Sequence, residues 1–196
     1  MSLELTNYES YSPSSDLGPY RAADYWALPE GEPCELLHGR LIASPSPTAL
    51  HQIVCLLLSE HFLKVARRSG GIAFAAPMDV ILSDDSIVQP DILYIGQSRI
   101  SIVQDRVLGA PDLVVEVLSS EGSRRDRAEK LDLYASSGVP EYWVVDPKER
   151  QIDFLINQGG RFEIQLARDE CYQSAKLNEV QIDLADFWRE VDARLP

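Results

Sequence analysis

Residues 113–119, LVVEVLS, constrain the fold more than any other segment, because nearly every position is apolar. A strand with apolar side chains on both faces belongs inside a sheet that is covered on both sides. Glu116 interrupts this run. Burying a carboxylate there without a partner costs several kcal/mol, unless it ligates a cation or takes up a proton. Glu116 is therefore the strongest functional candidate, and a solvent-facing position at a sheet edge is the alternative.

The segments around this strand predict a mixture of helices and strands. Apolar spacing of three and four residues predicts a long helix over residues 48–68, with Ser46 or Thr48 as N-cap and Gly70 at its end. Further helices are predicted at 21–28, 124–136 and 184–191, and strands at 35–37, 40–43, 72–75, 78–82, 87–88, 92–95, 113–119, 142–145, 152–156 and 162–166. This order predicts the α/β (α+β) class, with a central mixed β-sheet flanked by helices.

Composition favours one domain and limits the partners. The chain has 196 residues, 45% of them hydrophobic, which suits a single core. We expect a flexible N-terminal arm over residues 1–19 and one domain over residues 20–196. The net charge of −13 argues against a surface that attracts nucleic acid broadly, because such binding needs clustered Lys and Arg. Any contact with DNA should therefore be local.

Cysteine usage and the N-terminal sequence indicate the compartment. Cys34, Cys55 and Cys171 are too few and too widely spaced for a disulfide framework or a CxxC zinc site. The N-terminus shows no basic region followed by an apolar stretch, so we expect no signal peptide. The longest apolar runs, such as residues 53–58, are too short to cross a bilayer. We expect a cytoplasmic protein without a membrane partner.

Asp91 is the second acidic candidate. It follows Pro90 at the start of the predicted strand 92–95, where an Asp also commonly caps a turn. Its distance of 25 residues from Glu116 allows two neighbouring strands to bring the carboxylates together. Two converging carboxylates suit a hard cation such as Mg²⁺. They also occur in glycosidases, so the pair alone leaves the reaction open.

Lys130 lies on the predicted helix that follows the Glu116 strand. One interpretation is an exposed residue paired with Asp126 at i,i+4 spacing, worth only tenths of a kcal/mol. In the other, the long side chain reaches back to the carboxylates and orients a water molecule or stabilises developing charge. The spacing supports both.

Three segments together resemble a known family. They are residues 35–54 (ELLHGRLIASPSPTALHQIV), 90–95 (PDILYI) and 110–147 (APDLVVEVLSSEGSRRDRAEKLDLYASSGVPEYWVVDP). They resemble the Uma2 family, which is abundant in cyanobacteria and belongs to the PD-(D/E)XK nuclease superfamily. The resemblance implies a restriction-endonuclease-like fold and a Mg²⁺- (or Mn²⁺-) dependent endonuclease that hydrolyses phosphodiester bonds of DNA. Nucleases of this fold commonly pair, so a homodimer is also expected.

The resemblance assigns roles to particular residues. Asp91 matches the acid of the PD element, and Glu116 matches the acid of the (D/E)XK element. Leu118 stands where that element has its lysine. In this family the lysine has moved to the following helix, where Lys130 stands, so Asp91, Glu116 and Lys130 are the expected catalytic residues. Glu35 matches the family's N-terminal acid and is expected to join Asp91 and Glu116 as a metal ligand.

Further residues are weaker candidates for substrate binding. His51 matches a family histidine, although a lone His at a helix start also serves in capping or packing. Arg124 and Arg125 form a basic cluster beside the expected site, and could instead balance acids on a solvated helix. Tyr134 lies one helical turn beyond Lys130 and either packs beneath it or faces the site.

Asp112 is a further acid near the expected site, and Leu118 departs from the nuclease motif. Asp112 also follows a proline, but it lies four residues before Glu116 on one strand, about 13 Å away, so both cannot hold one ion. We interpret Asp112 as structural.

Leu118 breaks the motif and the surface is acidic, so a binding or assembly module that keeps the fold without the reaction is the alternative function.

Overall fold

A computed structural model describes residues 18–44, 46–119 and 124–194, with only the backbone for residues 124–126. Most of the predicted arm lies outside these residues, so the arm and the domain boundaries stay predictions. The helices are α1 Ala22–Trp26, α2 Ala49–Ser69, α3 Arg124–Ser136 and α4 Leu184–Asp192, with a 3-10 helix at Gln97–Ile102. The strands are β1 Cys34–Leu37, β2 Arg40–Ala43, β3 Ile72–Ala75, β4 Val80–Ser83, β5 Ser86–Val88, β6 Ile92–Ile95, β7 Val107–Leu108, β8 Leu113–Val117, β9 Glu141–Asp146, β10 Gln151–Asn157, β11 Phe162–Gln165, β12 Cys171–Gln173 and β13 Gln181–Asp183.

The predicted mixed α/β class is confirmed, but the strands are divided among sheets. A six-stranded sheet has the order β11-β10-β9-β8-β6-β3, and a five-stranded sheet has the order β2-β1-β5-β4-β7. β12 and β13 form a separate hairpin. Within the six-stranded sheet, β8 pairs antiparallel with β6 and parallel with β9. The apolar strand therefore lies in the sheet interior, as its sequence predicts.

Helix α2 covers one face of the six-stranded sheet. Its N-cap is Thr48, whose hydroxyl accepts a hydrogen bond from the His51 amide, and Gly70 ends it in a left-handed conformation with φ 76°. Val54, Leu58 and Phe62 are fully buried against this face. By length and composition alone α2 could cross a membrane, and 39% of its most apolar window is buried. The core helix of a folded domain meets the same criteria, so this is weak evidence.

Helix α3 covers the opposite face. Leu133 and Tyr134 pack with Val114 of β8 and Val144 of β9 in a second apolar cluster. Because side chains alternate along a strand, Glu116 shares the α3 face with Val114. An ion pair between Arg40 of β2 and Glu129 ties α3 to the five-stranded sheet, next to Lys130.

The segment Gln89–Asp91 links the two large sheets. β5 belongs to the five-stranded sheet and β6 to the six-stranded sheet, and these residues form the connection between them. Ile92 pairs with Val115, so extending the antiparallel register by one residue places Asp91 opposite Glu116. The chain crossing thus brings residues of both sheets to one place.

Candidate active site

Glu116 occupies an interior strand but keeps a small exposed surface. Its side chain is 14% exposed, and it is surrounded by polar groups from α3 and β1. Tyr134 donates a hydrogen bond of 2.7 Å to Oε1 of Glu116. The solvent-facing alternative is wrong, because β8 has a neighbouring strand on each side.

Lys130 joins two carboxylates. Its Nζ lies 3.1 and 3.2 Å from Oε1 and Oε2 of Glu116, and 2.9 Å from Oε2 of Glu35. The side chain of Lys130 is 11% exposed, so these contacts form in a largely dry environment. The side chain points into the fold, and the interpretation of Lys130 as an exposed surface residue does not describe this geometry.

Glu35 binds backbone as well as Lys130. Its Oε1 accepts a 2.7 Å hydrogen bond from the Gln89 amide, at the connection between the two sheets. The Gln89 side chain donates in turn to Asp79, which also accepts from Tyr25. This network fixes Glu35 and, through it, the position of Lys130. In this geometry the carboxylate of Glu35 forms an ion pair with Lys130. The expected role of Glu35 as a metal ligand stays a prediction.

Asp91 lies between the start of α2 and the backbone of β8. Its Oδ2 accepts a 2.7 Å hydrogen bond from the Val117 amide. The same oxygen lies 3.3 Å from Nε2 of His51. His51 is thus a direct neighbour of an expected metal ligand, and its role in substrate binding stays a prediction.

The charges of the site are strongly coupled. Burial raises the pKa of the Glu116 carboxyl to about 7, Lys130 and the Tyr134 hydrogen bond oppose this, and the charges of Asp91 and Glu35 add to it. The hydrogen bond to Asp91 raises the pKa of His51, although burial alone would lower it. A cation beside Asp91 and Glu116 would favour their charged forms.

The remaining predicted residues fall into three groups. Tyr134 is fully buried and binds Glu116, which suits a positioning role better than contact with substrate. The side chains of Arg124 and Arg125 lie outside the described part of the chain, so their role in substrate binding stays a prediction. Asp112 accepts hydrogen bonds of 2.8 Å from the Gly96 amide and from Arg99, which agrees with a structural role.

Sequence reasoning missed two partners of the site. Cys55 lies one helical turn after His51, and its Sγ is 3.5 Å from Nδ1 of that ring. The spacing of four residues on a predicted helix was the available signal. Arg40, which binds Glu129 beside Lys130, had no such signal because the two residues are 89 positions apart.

Comparison with known proteins identifies the family. The sequence model of Uma2, described as "Putative restriction endonuclease", matches residues 22–190. The chain belongs to the Uma2 family. The resemblance carried by the three sequence segments is thereby confirmed. No curated protein matches this sequence significantly.

A solved structure supports the Uma2 assignment at the level of fold. The chain is similar to a putative nuclease belonging to DUF820 from Anabaena variabilis ATCC 29413, with a TM-score of 0.74. The match covers 88% of this chain and 99% of that chain at 22% sequence identity. At this identity, the likeness shows the fold alone.

Membership of a nuclease family suggests dependence on a metal, and the donor atoms fit that expectation. Asp91 and Glu116 supply carboxylate oxygens, the ligands preferred by hard divalent cations. Burial, together with the charges of Asp91 and Glu35, makes the charged form of Glu116 costly. A divalent cation would offset this cost, in competition with Lys130.

Proposed function

We propose that this Uma2 protein is a metal-dependent endonuclease that hydrolyses phosphodiester bonds of DNA, with Mg²⁺ or Mn²⁺ as its cofactor. The observation that carries the proposal is Glu116, an acid in an interior strand opposite Asp91, held by a lysine whose side chain is only 11% exposed. A carboxylate in this setting is costly to keep for structure alone. Family membership supplies the reaction class.

The protein residues would divide the work. Asp91 and Glu116 would hold the cation, which supplies Lewis-acid polarisation of the phosphate and a more acidic bound water. Lys130 would orient a water molecule or contact a phosphate oxygen beside the metal ligands. The distance of 3.1 Å between its Nζ and Oε1 of Glu116 supports this role. Glu35, which holds Lys130, would also be the further metal ligand that the family resemblance implies. Tyr134 would be a positioning residue that holds Glu116.

The direct test is cleavage of plasmid DNA by the purified protein in Mg²⁺ and in Mn²⁺, with EDTA as the metal-free arm. We expect cleavage that depends on the metal and that falls at least 100-fold in Glu116→Gln and in Asp91→Asn, about the size expected from losing a catalytic group. Glu163→Gln is the matched control, since Glu163 is a strand glutamate exposed on β11. It should cleave like the wild type.

Full activity in both active-site variants would overturn the proposal, and so would cleavage that persists in EDTA. Equal loss in Glu163→Gln would show that the assay reports stability or contamination. Circular dichroism of each variant separates loss of the site from loss of the fold.

Two observations favour a second function, a binding or assembly module without the reaction. Leu118 replaces the motif lysine, and Lys130 already pairs with both Glu35 and Glu116, which neutralises charge that a cation would otherwise offset. Isothermal titration with Mg²⁺ and Mn²⁺ distinguishes the two functions. Absence of binding in the millimolar range would favour the module.

We further propose that the protein acts on DNA as a homodimer, because cutting both strands of a duplex suits two copies of one active site. Sedimentation of the purified full chain tests this directly. A monomer at assay concentrations, with cleavage linear in protein concentration, would contradict it.

A further inference from the structure

A second group of ligands lies beside the carboxylate pair, on the side of α2. His51, Cys55 and Asp91 each offer one ligand atom, and these three atoms lie within 4.8 Å of one another. His51 and Cys55 are four residues apart on α2, so both side chains leave the same face of the helix. Asp91 approaches them from the connection between the two sheets.

We propose that His51, Cys55 and Asp91 form a binding site for a soft divalent cation such as Zn²⁺, with the fourth position taken by water. The inference concerns metal binding and does not rest on the proposed cleavage of DNA. Thiolate and imidazole ligands select Zn²⁺ and related ions, whereas Mg²⁺ prefers oxygen. The two neighbouring sites therefore differ in the metals they favour, and they share Asp91.

The ligand atoms lie close enough for a tetrahedral site to form after a small movement of the side chains. Zinc bond lengths of about 2.0 to 2.3 Å place ligand atoms roughly 3.4 to 3.6 Å apart. Cys55 Sγ is 3.5 Å from Nδ1 of His51, and Asp91 Oδ2 is 3.3 Å from Nε2 of the same ring. These two distances end on different nitrogens of the ring, and only one nitrogen can bind the ion. The separations that remain are at most 4.8 Å and must shorten by up to about 1.3 Å to reach tetrahedral spacing, within reach of a side-chain rotation.

The three ligands face an open pocket. A cavity of about 140 Å³ is lined by His51, Cys55 and Asp91, together with Gln52 and Ser59 of α2. A water molecule occupies about 30 Å³ in the liquid, so the cavity has room for an ion and its bound water. The Val117 amide holds Asp91 in place by a 2.7 Å hydrogen bond, which is the kind of outer contact that orients a ligand.

Binding must displace protons. The hydrogen bond to Asp91 raises the pKa of His51, and burial raises the pKa of the Cys55 thiol. A metal ion needs neutral imidazole and thiolate, so its binding releases protons and strengthens as pH rises.

Cobalt is the probe for the test, because a cysteine-to-Co²⁺ charge-transfer band in the near ultraviolet reports thiolate ligation directly. Purified full-length protein is titrated with Co²⁺ in reducing buffer near neutral pH. We expect this band to appear with one equivalent of Co²⁺ and to be lost on adding Zn²⁺. Cys55→Ser should abolish the band, and Cys171→Ser should keep it, since Cys171 is a similarly half-buried free cysteine away from the site.

A second variant, His51→Gln, tests the site independently in case Cys55→Ser does not fold. His51→Gln keeps the thiol and should weaken Co²⁺ binding at least about 10-fold, the lower end of what even outer contacts contribute. Glu116→Gln removes a ligand of the carboxylate pair only, so it should keep the band. Absence of a band in the wild type, a band that persists in Cys55→Ser, or wild-type affinity in His51→Gln would overturn the proposal.

The shared Asp91 gives an additional readout if cleavage is detected. Zn²⁺ at this site would engage Asp91 and inhibit Mg²⁺-dependent cleavage, and Cys55→Ala should raise the inhibitory Zn²⁺ concentration at least about 10-fold. Equal inhibition in both proteins would contradict the shared ligand. If the protein does not cleave DNA, the cobalt titration alone decides the metal site.

Discussion

At the scale of single residues, Tyr134 tests how Glu116 is held. Its hydroxyl donates to a largely buried carboxylate, and a hydrogen bond to a charged group is worth about 1.5 to 3 kcal/mol. We expect Tyr134→Phe to lower the free energy of unfolding by about that amount in urea titrations. Tyr20→Phe is the control, because Tyr20 is 44% exposed, and it should change stability by less than about 0.5 kcal/mol. Equal stability of the two variants would contradict the role of Tyr134.

The candidate residues differ in how far the sequence could predict their surroundings. Glu116 was predictable because an acid in an apolar run is conspicuous within a few residues. The reach of Lys130 was one of two possibilities, and only the packing of α3 on the sheet decides between them. The contact of Cys55 with His51, and its place within 4.8 Å of Asp91, were not foreseen, since a lone cysteine in an apolar helix has the same pattern as a core residue.

At the scale of elements, the ion pair between Arg40 and Glu129 joins α3 to β2 next to Lys130. Glu129 is 1% exposed, so removing Arg40 takes the close opposite charge away from a buried carboxylate. We expect Arg40→Met to lower the free energy of unfolding by about 3 kcal/mol, the lower end for a broken buried pair, because Arg40 itself keeps some exposure.

The double variant Arg40→Met with Glu129→Met separates charge burial from lost positioning. It should recover part of the stability in urea unfolding, since replacing both partners by apolar groups is often close to neutral. DNA cleavage should fall below that of the wild type in both variants, because α3 loses its Arg40 tie to the five-stranded sheet and keeps the pair of Lys130 with Glu35 as a weaker hold on that sheet. A single variant as stable as the wild type would show that the pair contributes nothing.

The elements themselves were largely predictable, and their assembly was not. β3, β6 and α3 have the predicted bounds, because periodicity and flanking Gly and Pro are local signals. The short strands β7, β12 and β13 were missed, since two or three residues carry too little periodicity. The division into two large sheets depends on pairings such as Leu36 with Ile87, far apart in sequence.

Helix α2 contains a histidine whose burial predicts a pH effect on stability. His61 Nε2 has no hydrogen-bond partner among the described residues, and burial, with the charges of Lys64 and Arg68, lowers its pKa. Asp186 and Glu190 of α4 line a pocket together with His61. The unfolded chain binds a proton near pH 6.5, whereas the folded chain resists it, so stability falls as pH drops below that value.

Replacing this histidine should remove the effect. We expect the free energy of unfolding of the wild type to be lower at a pH below about 6.5 than at a pH above it. The same difference should be smaller in His61→Leu. Urea titrations at the two pH values measure it, and the difference between the two proteins cancels other titrating groups. An identical pH dependence of the two proteins would show that His61 titrates alike in the folded and unfolded chains.

At the scale of the whole molecule, charge limits how DNA can bind. The chain has 18 basic and 31 acidic residues. Among the side chains that the structure describes at the site, the basic groups of Arg40 and Lys130 are paired with acids. Affinity for duplex DNA falls with salt by a slope of about −0.9 for each phosphate neutralised. If contact is confined to the metal site, the slope of log affinity against log salt should be shallower than about −3, as for three phosphates or fewer.

Fluorescence anisotropy of a labelled duplex measures this slope, with Ca²⁺ as a hard cation and gels to verify that the duplex stays intact. Binding should need the divalent ion, because without it the carboxylates repel the phosphate backbone, and Glu116→Gln should lose most of the Ca²⁺ effect. Glu163→Gln, an equal change of net charge at an exposed strand position, should keep it. A slope as steep as that of a protein with six to ten phosphate contacts would place DNA across a broad surface and contradict local binding.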